Sequence, residues 1–507
     1  AAADTKSSEA MKLAVTGISF SDDFSADTGL SSFATDFITA GGSVVGDLDG
    51  DGFDDFVVGF NLSNSFCVVY GSGSADDVTI DTGVGANHRC VIGTGTVVAD
   101  VGANSLGALI EGLGDINGDG FADFGVSGKT ATADGFVAIY LGADLRPALA
   151  QPDILIRGLD ALSGAYGSFC GAGNFDGALH APGDTATSDI AVGEPGSDRL
   201  RVIPGSPSWT PGQTTVTVDF DVAGVEQAFG VHTFEAQFSE AAWFGNRCQS
   251  AGDLLPTPGG GAAAGDLLIH QANADDSRLF VVPGRAFDPS TVSVLTDLTG
   301  APTTEDVRSV RLRQDPNDAG NFVSGWGTSF QADSDLDGDG IVDIMVAHTA
   351  RSTEVSDGKA IHIFSGALVA AASGGDLRVT TGDSEKIGRA WAGENGTVVE
   401  ANVNGFFRGA AIIGDYDGWQ VGGTLATPDL AIADRNATKV AFRMNHAVDG
   451  APEFLGLFPT EEFEATNPAN SGSYTAGLWV AGNIDLDGDG APETLIGTAK
   501  RRVVVVW

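Results

Sequence analysis

Apolar residues along this chain fall into short runs separated by turn-forming residues. Near its start, the runs 42–45, 55–59, 65–70 and 77–80 are rich in Val, Ile and Phe and are bounded by Gly, Asn and Asp. Runs of this kind predict β-strands. No long stretch repeats its apolar residues with a helical period, so we expect little helix. Glycine makes up 72 of the 507 residues, as expected for a chain with many tight turns.

A loop rich in carboxylates recurs between these runs, and four copies are nearly identical. Carboxylates stand at the first, third, fifth and ninth positions, with one Asn and one Glu among them, and a Gly after the fifth position permits a positive φ. Calcium takes six to eight oxygen ligands, which a tight turn can supply from alternate residues. With the seventh positions included, the predicted ligands are Asp47, Asp49, Asp51, Phe53, Asp55, Asp115, Asn117, Asp119, Phe121, Asp123, Asp335, Asp337, Asp339, Ile341, Asp343, Asp485, Asp487, Asp489, Ala491 and Glu493.

Three weaker copies have the same context but are interrupted by insertions. Two of them give further metal-ligand candidates, namely Asn174, Asp176, Asp189, Asp415, Asp417 and Asp429. The third, from Asp253 to Asp266, offers too few carboxylates. The seven copies begin at positions 47, 115, 174, 253, 335, 415 and 485, which predicts one supersecondary unit per copy.

The pattern predicts an all-β fold, a seven-bladed β-propeller with four-stranded antiparallel blades, filling residues 1–507 as a single domain. The last copy lacks a fourth strand, and the strand-like segment 12–20 has no blade of its own. We therefore expect the N-terminal strand to close the ring as the outer strand of the last blade, leaving no unpaired edge. A loose N-terminal arm is the alternative.

The chain resembles the FG-GAP repeats of the integrin α-subunit β-propeller and of its bacterial relatives, over nearly its whole length. A GAP-like turn at 192–195 follows the second strand of the third copy. The FG-like pairs are Leu106-Gly107, Tyr166-Gly167, Phe244-Gly245 and Trp326-Gly327. The resemblance implies a calcium-stabilised binding or adhesion module, with partner-binding loops on the face opposite the calcium loops.

Charge limits the possible partners. The chain carries 68 acidic and 26 basic residues, a formal net charge of −42. Phosphate contacts need a basic patch, so nucleic acid and anionic membrane surfaces are disfavoured. No apolar run is long enough for membrane insertion. The first residues resemble a chain start left by signal-peptide removal, which predicts a secreted or cell-surface protein.

Four cysteines fit an oxidising compartment and allow three pairings. Cys67 and Cys90 stand in the third strand and after the fourth strand of the first unit. Cys170 and Cys248 stand just before the loops of neighbouring units. We predict disulfides Cys67–Cys90 and Cys170–Cys248; buried free thiols are the alternative.

Calcium, in at least four sites, is expected to be structural, because the loops resemble closed oxygen cages with no open coordination position. The ends of the second strands should lie on the opposite face. The residues that sample this face are Phe60, Gly128, Glu194, His270, His348, Asp434 and Thr498. They form either a polar ring that grips a ligand or a set of solvated turn residues.

Three functions stay open. The first is a secreted, calcium-stabilised, non-enzymatic module that binds an extracellular protein or glycan. The second is a self-assembling structural subunit of a surface layer or appendage. The third is a carbohydrate-active enzyme such as a polysaccharide lyase, with His270 and His348 as weak acid–base candidates. The sequence contains no Gly-X-Ser-X-Gly, His-Glu-X-X-His or P-loop motif.

Overall fold

The computed structural model consists mostly of β-strands. It describes residues 15–20, 42–60, 64–72, 78–80, 85, 87–92, 106–129, 135–144, 149, 151–159, 168–177, 187–237, 243–255, 264–272, 277–285, 292–296, 310–314, 326–336, 339–348, 359–372, 376–379, 390–392, 409–416, 420–421, 425–426, 428–434, 439–443, 445–448, 451–454, 476–498 and 502–506. Asp337, Asp417 and the pair Tyr166-Gly167 lie outside these residues, as do the side chains of His348, Asp434 and Thr498.

Six sheets contain four or five strands, and we number the sheets by their first strand. Sheet 1 contains Gly42–Gly46, Asp55–Phe60, Ser65–Val69 and His88–Ile92. Sheet 2 contains Ile110–Gly114, Asp123–Lys129, Gly135–Tyr140, Ile154–Leu159 and Val216–Asp219. Sheet 3 contains Ser168–Gly173, Asp189–Glu194, Arg199–Ile203, His232–Gln237 and Val292–Thr296. Sheet 4 contains Trp243–Gly252, Asp266–Ala272, Arg278–Val282, Val310–Gln314 and Asp376–Val379.

The remaining sheets come from the second half of the chain and from both of its ends. Sheet 5 contains Trp326–Ser334, Asp343–His348, Lys359–Phe364 and Ala390–Ala392. Sheet 6 contains Gly409–Ile413, Asp429–Asp434 and Lys439–Arg443. Sheet 7 contains Ala476–Ile484, Glu493–Thr498, Arg502–Val506, Val15–Phe20 and Val78–Ile80.

The other described elements are short. Two-stranded ribbons pair Gln420–Val421 with Leu425–Ala426 and Asn445–Val448 with Ala451–Phe454. The helices are Val225–Phe229, Gly366–Ala372 and the 3-10 turn Pro195–Ser197. Among these described helices, none has the length and apolar character needed to span a membrane.

The sheets are arranged as the blades of a β-propeller. Up to the fourth strand, each strand of a sheet pairs antiparallel with the strand before it, as sheet 1 shows. The first strand of each sheet contacts the first strand of the next, and the first strand of sheet 7 contacts that of sheet 1. The two chain ends meet in sheet 7, where Val15–Phe20 pairs antiparallel with Arg502–Val506.

Four sheets have a fifth strand that the four-stranded prediction did not include. In sheets 2, 3, 4 and 7 a parallel strand is added at the outer edge. Each comes from the connection between the third and fourth strands of the following unit. The prediction that 77–80 is the fourth strand of the first unit was therefore wrong. Val78–Ile80 pairs with Val15–Phe20 in sheet 7, and the fourth strand of sheet 1 is His88–Ile92.

The core lies between neighbouring sheets, because strand alternation sends side chains to both faces of a blade. In the strand Asp55–Phe60, Phe56 and Val58 pack with Leu495 and Val503 of sheet 7. Val57, between them, packs with Phe124 of sheet 2. Every residue of this strand is buried, and each fully buried Val or Phe side chain contributes about 1.5–3 kcal/mol. Sheet 1 is thus packed between sheet 7 and sheet 2.

Both predicted disulfides are formed. Cys67–Cys90 links directly paired residues of the third and fourth strands of sheet 1. Cys170–Cys248 links the first strands of sheets 3 and 4. Among the cysteines none is free, which is consistent with an extracellular protein.

Candidate functional site

The first carboxylate loop is held by hydrogen bonds from its own backbone. Asp47 accepts from Gly50 N at 2.7 Å and from Gly52 N at 3.0 Å. Asp51 accepts from Phe53 N at 3.1 Å. Gly50 and Gly52 have φ values of 73° and 90°, which explains why glycine is needed at both. The turn therefore forms around the side chain of its first residue.

The other complete loops repeat this frame where they are described. The carboxylates of Asp115, Asp335 and Asp485 accept from loop amides in the same way. The second loop differs at its third position, where Asn117 Nδ2 donates to Asp119 Oδ2 at 2.9 Å and to Trp209 O at 3.2 Å. The amide there cross-links the loop to the neighbouring unit.

The ninth-position carboxylate is buried in all seven copies. One of its oxygens accepts an amide hydrogen bond from the start of the loop; in Asp55 this bond comes from Leu48 N at 2.8 Å. The corresponding donors in the other copies are the amides of Ile116, Asp176, Leu254, Leu336, Tyr416 and Leu486. In copy 4 the amide of Leu255 donates as well. This carboxylate therefore ties the loop to the second strand, even in the weaker copies.

In five copies, the main-chain N–H of a glycine after the third strand donates to the other oxygen of the ninth-position carboxylate. This glycine was not identified from the sequence. These glycines are Gly71, Gly142, Gly205, Gly284 and Gly366. A Cβ on any of them would collide with the main-chain oxygen of the residue before the ninth position. The glycine that recurs two residues after the third strand in these five copies was the signal that could have revealed it.

Two separate groups of three carboxylates could each bind one cation. One ligand oxygen from each of Asp47, Asp49 and Asp55 lies within 4.8 Å of the other two. Asp485, Asp487 and Glu493 form an equivalent group. Burial raises the pKa of Asp55 to about 8 and that of Glu493 to about 7, while amide hydrogen bonds act in the opposite direction. A cation would offset this burial penalty on the charged form.

The residues present fit a hard cation in these loops. The donors are carboxylate oxygens on a turn whose amides donate to the first-position side chain, and oxygen donors of this kind suit a hard cation. Among the described residues, only copies 1 and 7 form such a group of three acidic side chains: copy 2 has Asn117 at its third position, Asp337 of copy 5 is not described, and copies 3, 4 and 6 are interrupted by insertions. There the candidates Asn174, Asp176 and Asp415 lie beside a ninth-position carboxylate that is bound to amides.

The two loops that carry these carboxylate groups, 47–55 and 485–493, are neighbours at the junction of the chain ends. Asp54 N donates to Asp485 O at 2.9 Å, as Ala122 N donates to Asp47 O at 2.9 Å. Asp54 Oδ2 also accepts from Asp485 N at 3.1 Å. The same eighth-position amide bond joins copy 3 to copy 2 and copy 4 to copy 3. Loops of successive units thus share one backbone contact.

Three of the seven residues assigned to the opposite face have described side chains that are buried. Phe60, Glu194 and His270 are 1%, 3% and 0% exposed, so they are not solvated turn residues. Glu194 forms an ion pair with Arg201, and His270 packs against Phe330 and beside Gly327. The His270 side chain is therefore enclosed between sheets 4 and 5 and does not reach solvent.

The FG-like glycines explain why these strand ends are covered. Gly107, Gly245 and Gly327 have φ values of 88°, 76° and 76°. A Cβ on Gly107 would lie 2.5 Å from Ser65 O, and one on Gly245 would lie 2.6 Å from Arg199 O. Each glycine packs its backbone on the end of the preceding sheet. The FG-like pair is thus a blade-to-blade contact.

A cavity of about 670 Å³ runs between the first strands of all seven sheets. Its charged lining residues are Glu111, Arg247 and Asp333. Asp333 accepts from Gln331 Nε2 at 2.6 Å and from Ser334 Oγ at 2.8 Å. This cavity could not be identified from the sequence, because its lining comes from strands that are distant along the chain.

Comparisons with known proteins add little. No family model and no curated protein matches the chain. Among solved structures, extracellular domains 1-2 of Drosophila Semaphorin 1a are similar over 93% of this chain and 87% of that chain, with 12% identity and a TM-score of 0.44. An exotype rhamnogalacturonan lyase, YesX, is similar over 93% and 90%, with 13% identity and a TM-score of 0.32. Both likenesses are too weak to argue function, so the β-propeller assignment rests on the sheets described above.

Proposed function

We propose that this chain is a secreted, calcium-stabilised, seven-bladed β-propeller of the FG-GAP type that binds an extracellular protein or glycan without chemical conversion. The observation that carries the proposal is the pair of carboxylate groups on adjacent loops, Asp47 with Asp49 and Asp55, and Asp485 with Asp487 and Glu493. Each group sits in its own loop, and the two loops have the same pattern of amide hydrogen bonds to the first-position carboxylate. Calcium there stabilises the junction between the first and last units of the chain.

Ring closure with seven blades is supported by the junction of sheets 7 and 1. This junction has the eighth-position amide bond, a shared apolar core and a donated fifth strand, as the junction of sheets 2 and 3 does. Sheet 6, with its three described strands, takes the place of the remaining blade. A closed ring leaves no unpaired inner edge.

The partner surface of the proposed module is the face opposite the calcium loops. Trp243 begins the first strand of sheet 4, at the end away from the loop, and is 52% exposed. Exposed tryptophan is enriched among residues that dominate binding energy. We assign Trp243 to the partner-binding surface, because it presents a large aromatic side chain on an otherwise rigid blade.

The proposal is tested by screening the full chain in calcium against glycan arrays and purified extracellular proteins, with Trp243→Ala beside the wild type. We expect a retained, unmodified partner whose binding weakens at least about tenfold in the variant. Exposed Val222→Ala is the matched control and should bind as the wild type does. Unchanged binding by Trp243→Ala would remove this surface from the proposal.

The two alternatives have distinct signatures in the same samples. Calcium-dependent polymers in native mass spectrometry would favour the structural-subunit function. An unsaturated sugar product absorbing in the ultraviolet would favour a lyase. The burial of His270 weighs against the lyase, because general acid–base catalysis needs contact with the substrate.

A further inference from the structure

The central cavity has a layer to which each sheet contributes one residue. The fourth residue before the start of every loop lines the cavity. These residues are Ser43, Glu111, Cys170, Gln249, Gln331, Ala411 and Ala481. The layer is polar on the side of sheets 1, 2, 4 and 5 and apolar on the side of sheets 6 and 7. A bound molecule would therefore meet one wall rich in hydrogen-bonding groups.

Two opposite charges face this space without touching each other. Within the described part of the chain, the side chains of Glu111 and Arg247 make no hydrogen bond and no direct ion pair, although their backbones pair with the second strands of their sheets. Glu111 is half-buried and Arg247 is exposed to the cavity. Desolvation by the surrounding blades raises the pKa of Glu111 to about 7 and lowers that of Arg247, and the attraction between the two groups opposes both changes. Each side chain therefore senses the other's charge across a gap.

The third charged group, Asp333, is already engaged. Gln331 Nε2 and Ser334 Oγ donate to its two oxygens, and Gln331 Oε1 accepts from Ile412 N at 2.8 Å. These bonds fix Asp333 and Gln331 against the wall. The ionic groups available to a bound molecule are thus one guanidinium and one carboxylate.

We propose that the central cavity binds a small zwitterion, an α-amino acid or a short peptide, with its carboxylate on Arg247 and its ammonium on Glu111. A guanidinium binds carboxylates through two parallel hydrogen bonds, and a carboxylate accepts readily from an ammonium group. A ligand with a single charge, or a neutral sugar, would leave an ionic group unmatched. The volume lies within the range of small-molecule sites, about 300–1,000 Å³.

This site is separate from the face assigned to the partner, and its lining contains none of the proposed calcium ligands. Its residues lie on the first strands, while the calcium groups lie in the loops that follow those strands. Failure of one proposal therefore leaves the other standing.

The test is isothermal titration of the full chain with free amino acids and with diglycine. Matched probes lack one charge: N-acetylglycine has no ammonium and glycinamide has no carboxylate. We expect at least one zwitterion to bind, and its blocked counterparts to bind at least about tenfold more weakly. Equal binding of blocked and free forms, or no binding of any zwitterion, would overturn the proposal without any variant.

Two substitutions locate the ligand. Glu111→Gln and Arg247→Gln should each weaken zwitterion binding at least about tenfold. Arg199→Gln is the matched control, because Arg199 lies outside the cavity lining and pairs with Glu235 at 2.8 Å; it should bind as the wild type does. Wild-type affinity in both cavity variants would contradict the assignment.

Discussion

The complete loop 47–55 and the weaker copy 253–266 occupy the same place in their sheets but are held together differently. In both, the ninth-position carboxylate is buried and accepts amides on both sides. At the third position, however, copy 1 has Asp49 and copy 4 has Leu255, which is packed into the core of sheets 4 and 5. The ninth-position carboxylate therefore holds the fold together in both copies, whereas we propose the earlier carboxylates of copy 1 as additional cation ligands.

The largest effect is expected at the ninth position of the weaker copy. Asp266→Ala would leave the buried amides of Leu254, Leu255 and Gly284 without their acceptor, at about 1–3 kcal/mol each. Urea unfolding should show a loss of several kcal/mol, equal in calcium and in chelator. Asp253→Ala is the control and should change stability little. A loss confined to calcium-containing samples would mean that copy 4 holds a cation after all.

Removing ligands from a complete copy should instead give a calcium-dependent loss. Asp49→Ala combined with Asp51→Ala removes two predicted ligands. When free calcium is about 100 times the dissociation constant, each site stabilises the fold by about 2.7 kcal/mol. The variant should melt at a lower temperature than the wild type in calcium and close to it in chelator. Equal losses in both conditions would show that this loop binds nothing.

The glycine after the third strand gives a matched pair within one copy. Gly284→Ala brings its Cβ against Gly265 O, whereas Gly265→Ala meets only ordinary contacts from 3.4 Å outward. We expect Gly284→Ala to lower the free energy of unfolding by about 1–3 kcal/mol, as overpacking does. Gly265→Ala should stay within about 1 kcal/mol of the wild type. Similar values for the two would refute the role of Gly284 in holding the ninth carboxylate.

The smallest effect is expected at the junction of the chain ends. Asp54→Ala removes a half-buried acceptor of Asp485 N but keeps the main-chain bond from Asp54 N to Asp485 O. The net loss should be about 1 kcal/mol, as for a single hydrogen bond. Thermal unfolding in chelator checks it, with exposed Val222→Ala as a control away from the junction. A loss of several kcal/mol would show that this contact dominates the junction.

Much of the fold could be predicted from the sequence, because the repeat is visible as short apolar runs around the carboxylate loops. The entering strand, predicted at 42–45, is Gly42–Gly46, and both disulfides were correctly paired. The fifth strands were missed because each one lies within one unit along the chain but pairs with the outer strand of the preceding sheet. Val78–Ile80, for example, pairs with the N-terminal strand and not with its own sheet.

The site was predicted less completely, because a carboxylate in this pattern can be a metal ligand, an acceptor for buried amides, or both. Asp55 and Asp266 look alike in sequence, and only the structure shows that both are acceptors for buried amides. The burial of His270 could not be predicted, because the sequence does not show that Gly327 of the next sheet packs against it. Glu111 and Arg247 come together only when the first strands are arranged around the cavity.

The most direct test of the account is native mass spectrometry of the full chain in calcium and then in chelator. The account predicts one calcium ion for each of the four complete loops, begun at 47, 115, 335 and 485, and none for the weaker copies. Asp49→Ala with Asp51→Ala should remove one ion, and Asp253→Ala none. A protein that carries no calcium at all, or that loses an ion with Asp253→Ala, would contradict the division between complete and weaker copies.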